Sequence, residues 1–174
     1  MDILIPDSWL RDFISTKATP KQLAEALSLC SLSVDRVETT ADGDSLYHIE
    51  VPPNRYDCLS VLGVAREAAA ALPRFGHEVG LTTPTIIPPQ FPKGPRLTLE
   101  PLIDTALCPR FSAVIIDNVT IKPSPKIIRQ RLEKVGIRPL NNLIDITNYL
   151  MIELGQPMHA FDFDKLTDKK MVLR

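Results

Sequence analysis

The chain has 174 residues, 44% apolar and 24% charged, an ordinary globular composition that allows one medium domain or two small ones. No run approaches the roughly 18 apolar residues of a membrane span, and the N-terminal "MDILIPDSWLRDFI" lacks a basic region and a long apolar core; no membrane or signal peptide is expected, and the expected compartment is the cytosol. The formal net charge of −1 gives no electrostatic case for a nucleic-acid binder, although the first hundred residues carry −4 and the rest +3.

In chain order, "SWLRDFI" predicts a first helix with Asp7 or Ser8 as its N-cap. A second is better marked: Thr19 caps, Pro20 takes the first helical position, and Leu23, Ala24, Leu27 and Cys30 form an apolar stripe. "SVDRVET" alternates as a strand does, "ADGDS" turns, and "LYHIEV" returns as a second strand. "PPNRYD" breaks it, because prolines cannot continue a central strand. The alanine-rich "LSVLGVAREAAAAL" then reads as a helix ended by Pro73. Pro84, Pro88, Pro89, Pro92, Pro95 and Pro101 give residues 84–101 the character of a stiff, extended connector. "RLTLE" and "RFSAVIIDNVTI" predict strands. "SPKIIRQRLEKVG" predicts a helix capped by Ser124, with Ile128, Leu132 and Val135 inward and Gly136 as its stop. A further helix over 141–155 ends at Gly155, with Asn141 and Asn142 at its start. "KKMVLR" begins a strand with nothing after it, which predicts an unpaired edge and a chain cut from something longer.

The fold class expected is α+β: a small N-terminal α/β domain over 1–83, the connector over 84–101, and an incomplete α+β domain over 102–174. Cys30, Cys58 and Cys108 are odd in number and far apart, without zinc spacing. They are expected as reduced, mostly buried thiols, and no metal site is expected.

The helix "NNLIDITNYLMIELG", followed by "QPMHAFD", is the unusual stretch. At 100° per residue Leu143, Ile146, Leu150 and Leu154 share a face. Thr147 falls inside that stripe, Asn148 is expected at its edge, and Asp145 and Tyr149 lie opposite. Thr147 therefore points where a core residue is expected, and the Pro157 turn can return His159 to the same surface. The competing structural reading has Thr147 bonding the carbonyl of Leu143 and His159 as a structural residue. The residues themselves carry no catalytic triad, phosphate loop or metal cluster.

A resemblance goes further. "GIRPLNNLIDITNYLMIELGQPMHAFDFDKL" resembles the editing domain of the bacterial phenylalanyl-tRNA synthetase β subunit, and "CPRFSAVIIDNVTIKPSPKIIRQRLEKVGIRP" resembles the segment before it. "PPNRYDCLSVLGVARE" is similar to the family's TPNRPDCLSVLGIARE, and the N-terminal residues fit the subunit's first domain. The resemblance implies an α2β2 synthetase charging tRNA(Phe), with ATP and Mg²⁺ used by the whole enzyme and no cofactor in this region. The α subunit and tRNA(Phe) are the implied partners. It also implies hydrolysis of tRNA mischarged with tyrosine, with Thr147, Asn148, Pro157 and His159 at editing-pocket positions. Of these, Thr147, Asn148 and His159 are the catalytic candidates, and His159 is expected to orient the hydrolytic water or the terminal adenosine.

Two departures bear on this. The family's OB-fold tRNA-binding insert near 38–46 is replaced by a direct "VETTADGDSLY" crossing, and the family's remaining pocket residues lie beyond Arg174. The site is thus expected to be half present and this region inactive by itself. Asn54, Arg55 and Asp57 are expected to be structural, with Asp57 or Ser60 capping the next helix and Arg55 bracing a domain interface. Lys126, Arg129, Arg131, Lys134 and Arg138 form a basic helix face, read as solvated surface or as phosphate contacts for tRNA. The alternatives kept open are a stand-alone nucleic-acid or protein-binding module and a trans-editing aminoacyl-tRNA hydrolase.

Overall fold

The computed structural model describes residues 1–91 and 93–174; Pro92, one of the connector prolines, lies outside the described residues. The fold is α+β and divides into two compact units, residues 1–85 with 122–158, and residues 86–121 with 159–174. No helix among the described residues is long and apolar enough to cross a membrane.

The first unit is built on the antiparallel sheet β1 (Asp2–Pro6), β4 (Ser45–Glu50) and β3 (Ser33–Thr39), in the order β1-β4-β3. Ile3 pairs with Ile49 and Ile5 with Tyr47. All four are buried, because residues two apart on a strand share a face. β3 and β4 join through a tight turn in which Gly43 takes φ +82°, a region open to glycine without a Cβ penalty. Helices α2 (Pro20–Cys30) and α3 (Val61–Ala71) supply Leu23, Ala26, Leu27, Val64, Ala65 and Ala68 to the core. α2 has the expected start: Thr19 and Gln22 exchange side-chain and backbone bonds in a capping box, with Pro20 inside it. α3 is capped by Ser60, whose oxygen accepts from the Gly63 N–H at 3.0 Å. The chain then tightens into a 3-10 turn over 72–75, so Pro73 sits inside that turn.

Helix α1 is shorter than predicted, Asp7–Leu10. Ile14 leaves it to open β2 (Ile14–Thr16), which pairs antiparallel with β5 (Val79–Leu81). Pro6, not Asp7 or Ser8, holds the N-cap position. Asp7 instead accepts from Tyr47 Oη, 40 residues on, at 2.5 Å and from Arg11 Nε, one turn on, at 3.1 Å, bonds that compete with capping.

α4 (Lys126–Lys134) and α5 (Asn142–Leu154) complete this unit. Pro125, not Ser124, occupies the N-cap of α4. Ser124 is buried, and its hydroxyl donates to Asp145 Oδ2 at 2.5 Å. Leu132 is fully buried, whereas Ile128 and Val135 are half-buried. α5 is capped by Asn141, which accepts from the N–H groups of Leu143 and Ile144, and it ends at Gly155 with φ +80°.

In the second unit β6 (Glu100–Ile103) pairs in parallel with β7 (Lys170–Leu173), so the expected unpaired final strand has a partner. "RLTLE" enters a strand only at Glu100, and 110–121 forms no strand. The alternation there is real, but a strand exists only through ladder bonds, and no neighbouring strand among the described residues supplies them. The three thiols are free; Cys58 is buried and Cys108 half-buried, but Cys30, expected in the α2 stripe, is exposed at the helix end.

Candidate functional site

α5 places the candidate residues, and its anchoring reverses the expectation drawn from its apolar stripe. The docked face is centred about 120° round the helix from the stripe. Asp145 is fully buried, accepting from Ser124 and from the Leu140 N–H at 2.8 Å. One turn on, Tyr149 stacks on Trp9 with centroids 4.6 Å apart. A further turn on, Ile152 packs against the core, and Glu153 accepts from Trp9 Nε1 at 2.8 Å. Leu143 and Leu150 are half-buried, and Ile146 and Leu154 remain 44% and 42% exposed. Periodicity identifies which residues share a face; it does not choose the face that docks.

Arg131 of α4 closes the same cluster. Its guanidinium lies 5.2 Å from the Trp9 ring centroid, donates to Tyr149 Oη at 2.7 Å and pairs with Asp12. Burial works against its charge, but Asp12 and Tyr149 outweigh burial and raise its pKa. Burial first, then Glu153, pushes the Tyr149 phenol up to about 12.

Thr147 lies on the open side of α5, half-buried, and its hydroxyl donates to the Ile144 carbonyl at 2.7 Å rather than to that of Leu143. The hydroxyl oxygen keeps its acceptor capacity. Asn148 is also half-buried, and its amide makes no hydrogen bond among the described residues. It does not border the stripe: a step of 100° separates it from Thr147, and three residues from Asp145 leave it about 60° from that docked position. Pro157 is exposed at the end of the first unit, and His159 is exposed in the second.

The basic candidates separate in two. Lys126, Arg129 and Arg138 are exposed. Arg131 is engaged as above, and Lys134 reaches Asp42 and Asp44 at 2.8 and 2.7 Å. The Lys134 bond first, then Thr40, holds the Asp42 carboxyl down at about 2. Burial raises the Asp44 pKa, but bonds from Lys134 and Ser8 outweigh burial and leave it lowered.

The "NRYDCLS" stretch is a structural clasp. Arg55 Nη2 donates to Asp57, Cys58 Sγ and Glu67 at 3.0, 3.0 and 2.6 Å. The ligand atoms of Asp57, Cys58 and Glu67 fall within 4.8 Å of one another, a spacing a cation could use, but the guanidinium already serves all three. Burial, then Asp57, pushes the Cys58 thiol up to about 12, so within this clasp it is held as the neutral thiol at neutral pH. A Cβ on Gly63 would lie 2.0 Å from the Asp57 carbonyl oxygen, so this close turn requires glycine. Ser60 also meets Gly155, where a Cβ would be 3.3 Å from its Oγ. Two of the sequence strings that carry the resemblance, those of Ser60 and Gly155, therefore meet.

Residues 107–174 match the model of the B3/4 domain. The phenylalanine–tRNA ligase β subunit of Carboxydothermus hydrogenoformans is 45% identical over 131 residues, 75% of this chain and 16% of that protein. The Rhodopirellula baltica β subunit is 36% identical over 176 residues, covering 99% of this chain and 24% of its relative. By sequence, the chain belongs to the family of the bacterial phenylalanine–tRNA ligase β subunit. The Thermotoga maritima subunit, 41% identical over 143 residues, is matched over 82% of this chain and 17% of its own length. The chain thus spans a quarter or less of the length of these ligase subunits. Within the ligase family match, sequence reasoning missed Trp9, Asp12 and Glu153 as supports of α5. Trp9 and Glu153 are 144 positions apart, so no local pattern could have joined them.

Proposed function

We propose that this chain forms part of the β subunit of an α2β2 phenylalanine–tRNA ligase, which joins phenylalanine to tRNA(Phe) using ATP and Mg²⁺, and that its 102–174 region contributes the first part of a site hydrolysing Tyr-tRNA(Phe). The observation that carries the reading is the 45% identity to a named ligase β subunit over three-quarters of the chain. Phenylalanine and tyrosine differ by one hydroxyl, and an apolar activation pocket rejects such an addition poorly, so a second, hydrolytic sieve is needed. On this reading Thr147 offers an acceptor at the pocket wall, Asn148 a flanking amide, Pro157 the turn, and His159 the group that orients water or the terminal adenosine. Lys126, Arg129 and Arg138 are open to tRNA phosphates, where each contact released by salt weakens binding.

The test is made in the assembled ligase. His159→Ala lowers clearance of Tyr-tRNA(Phe) while phenylalanine-dependent ATP–pyrophosphate exchange stays unchanged. Thr147→Val keeps the shape and removes the hydroxyl, so deacylation falls about fivefold, the value of one buried hydrogen bond. Unchanged deacylation in both variants sinks the editing role, and equal loss in both assays marks unfolding instead.

A further inference from the structure

The orientation of α5 runs against its own hydrophobic pattern. Burial of apolar area is non-directional and favours the face with the most of it, here the face of Leu143, Ile146, Leu150 and Leu154. The helix instead docks through Asp145, Tyr149, Ile152 and Glu153. Three of those four contacts are directional: the Ser124 and Leu140 bonds to Asp145, the Trp9–Tyr149 stack, and the Trp9 Nε1 bond to Glu153. They recur about one turn apart along one side of the helix. A helix held this way cannot roll about its axis without leaving a buried carboxylate and an indole N–H unpaired, each costly in a dry site. Trp9 is itself fully buried, and Arg131, which Asp12 holds, lies 5.2 Å from its ring centroid.

We infer that Trp9 and Glu153 are positioning residues that set the rotation of α5, and through it the direction in which Thr147 faces. The inference rests on the editing role proposed above for Thr147. Neither residue touches substrate on this account. Both lie on the docked side of α5, Glu153 about 120° round the helix from Thr147, so their loss changes the geometry of the reacting complex more than the affinity for tRNA. Turnover in deacylation then falls while KM holds.

The experiment compares Glu153→Ala, Glu153→Gln and Thr147→Val in the assembled ligase with Tyr-tRNA(Phe) as substrate. Trp9 emission is read in parallel on the 174-residue chain, where it is the sole tryptophan. Glu153→Ala is expected to lower deacylation kcat about fivefold at unchanged KM, the value of one lost bond, and to red-shift Trp9 emission. Glu153→Gln keeps an oxygen acceptor for Trp9 Nε1 and restores both. Phenylalanine activation is unaffected in every variant, which excludes general unfolding. If Thr147→Val lowers deacylation and Glu153→Ala leaves kcat unchanged, the positioning inference is overturned and the editing reading stands. Both variants silent overturns the two together. A Glu153→Gln variant as impaired as Glu153→Ala shows that the carboxylate acts otherwise than as the indole's acceptor, and overturns the inference as well.

Discussion

The two units of this chain differ in how their apolar residues are used. Every buried apolar side chain among the described residues belongs to the unit of 1–85 and 122–158. The unit of 86–121 and 159–174 carries Ile86, Phe91, Leu107, Val114, Ile116 and Val172 exposed, and among its described residues the regular structure is two short parallel strands and two 3-10 turns. Hydrophobic residues are present in both; only the first encloses them between a sheet and helices. Cooperative stability is therefore concentrated in the first unit, and the contrast can be measured.

The largest expected effect is Trp9→Ala. It removes a fully buried indole, its stack on Tyr149 and its bond to Glu153, and the loss expected in urea denaturation is about 3–5 kcal/mol. A loss below about 1 kcal/mol would mean that α5 does not contribute to the core of this unit. Asp145→Ala comes next. It strands the Ser124 hydroxyl and the Leu140 N–H without their acceptor, at about 1–3 kcal/mol, read in the same titration. Smaller again is the acid response of the Lys134 clasp. The Asp42 carboxyl is held down at about 2, below its ordinary range, so its contribution is present above about pH 4 and is lost as pH falls through about 2. Carboxyl NMR titration is expected to show that low midpoint, and Lys134→Met is expected to return it toward the ordinary range. The smallest effect is in the second unit. Ile116 is 72% exposed, so Ile116→Ala is expected to change stability by less than about 0.5 kcal/mol. A loss above 1 kcal/mol would erase the contrast between the units.

Much of the candidate region was readable from residues alone, and the limit falls at a definite place. α2 and α5 announced their ends through Thr19, Pro20, Asn141 and Gly155, because capping satisfies backbone groups from neighbours a few positions away. β3 and β4 did so through alternation and the Gly43 turn. Ser124 deceived, because its hydroxyl satisfies Asp145, 21 residues on, in preference to a helix start. The basic face also read too simply, since Lys134 and Arg131 meet carboxylates 90 and 119 positions away.

The sequence by itself determined the ends of α2 and α5, the turn between β3 and β4, which side chains of α5 share a face, and that the chain resembles a ligase β subunit. These depend on local backbone chemistry and on residue strings. Only the tertiary structure decided which face of α5 docks. That choice is made by Trp9, Ser124 and the Leu140 N–H, whose directional bonds outweigh the non-directional attraction of the apolar stripe and leave Thr147 facing away from the core.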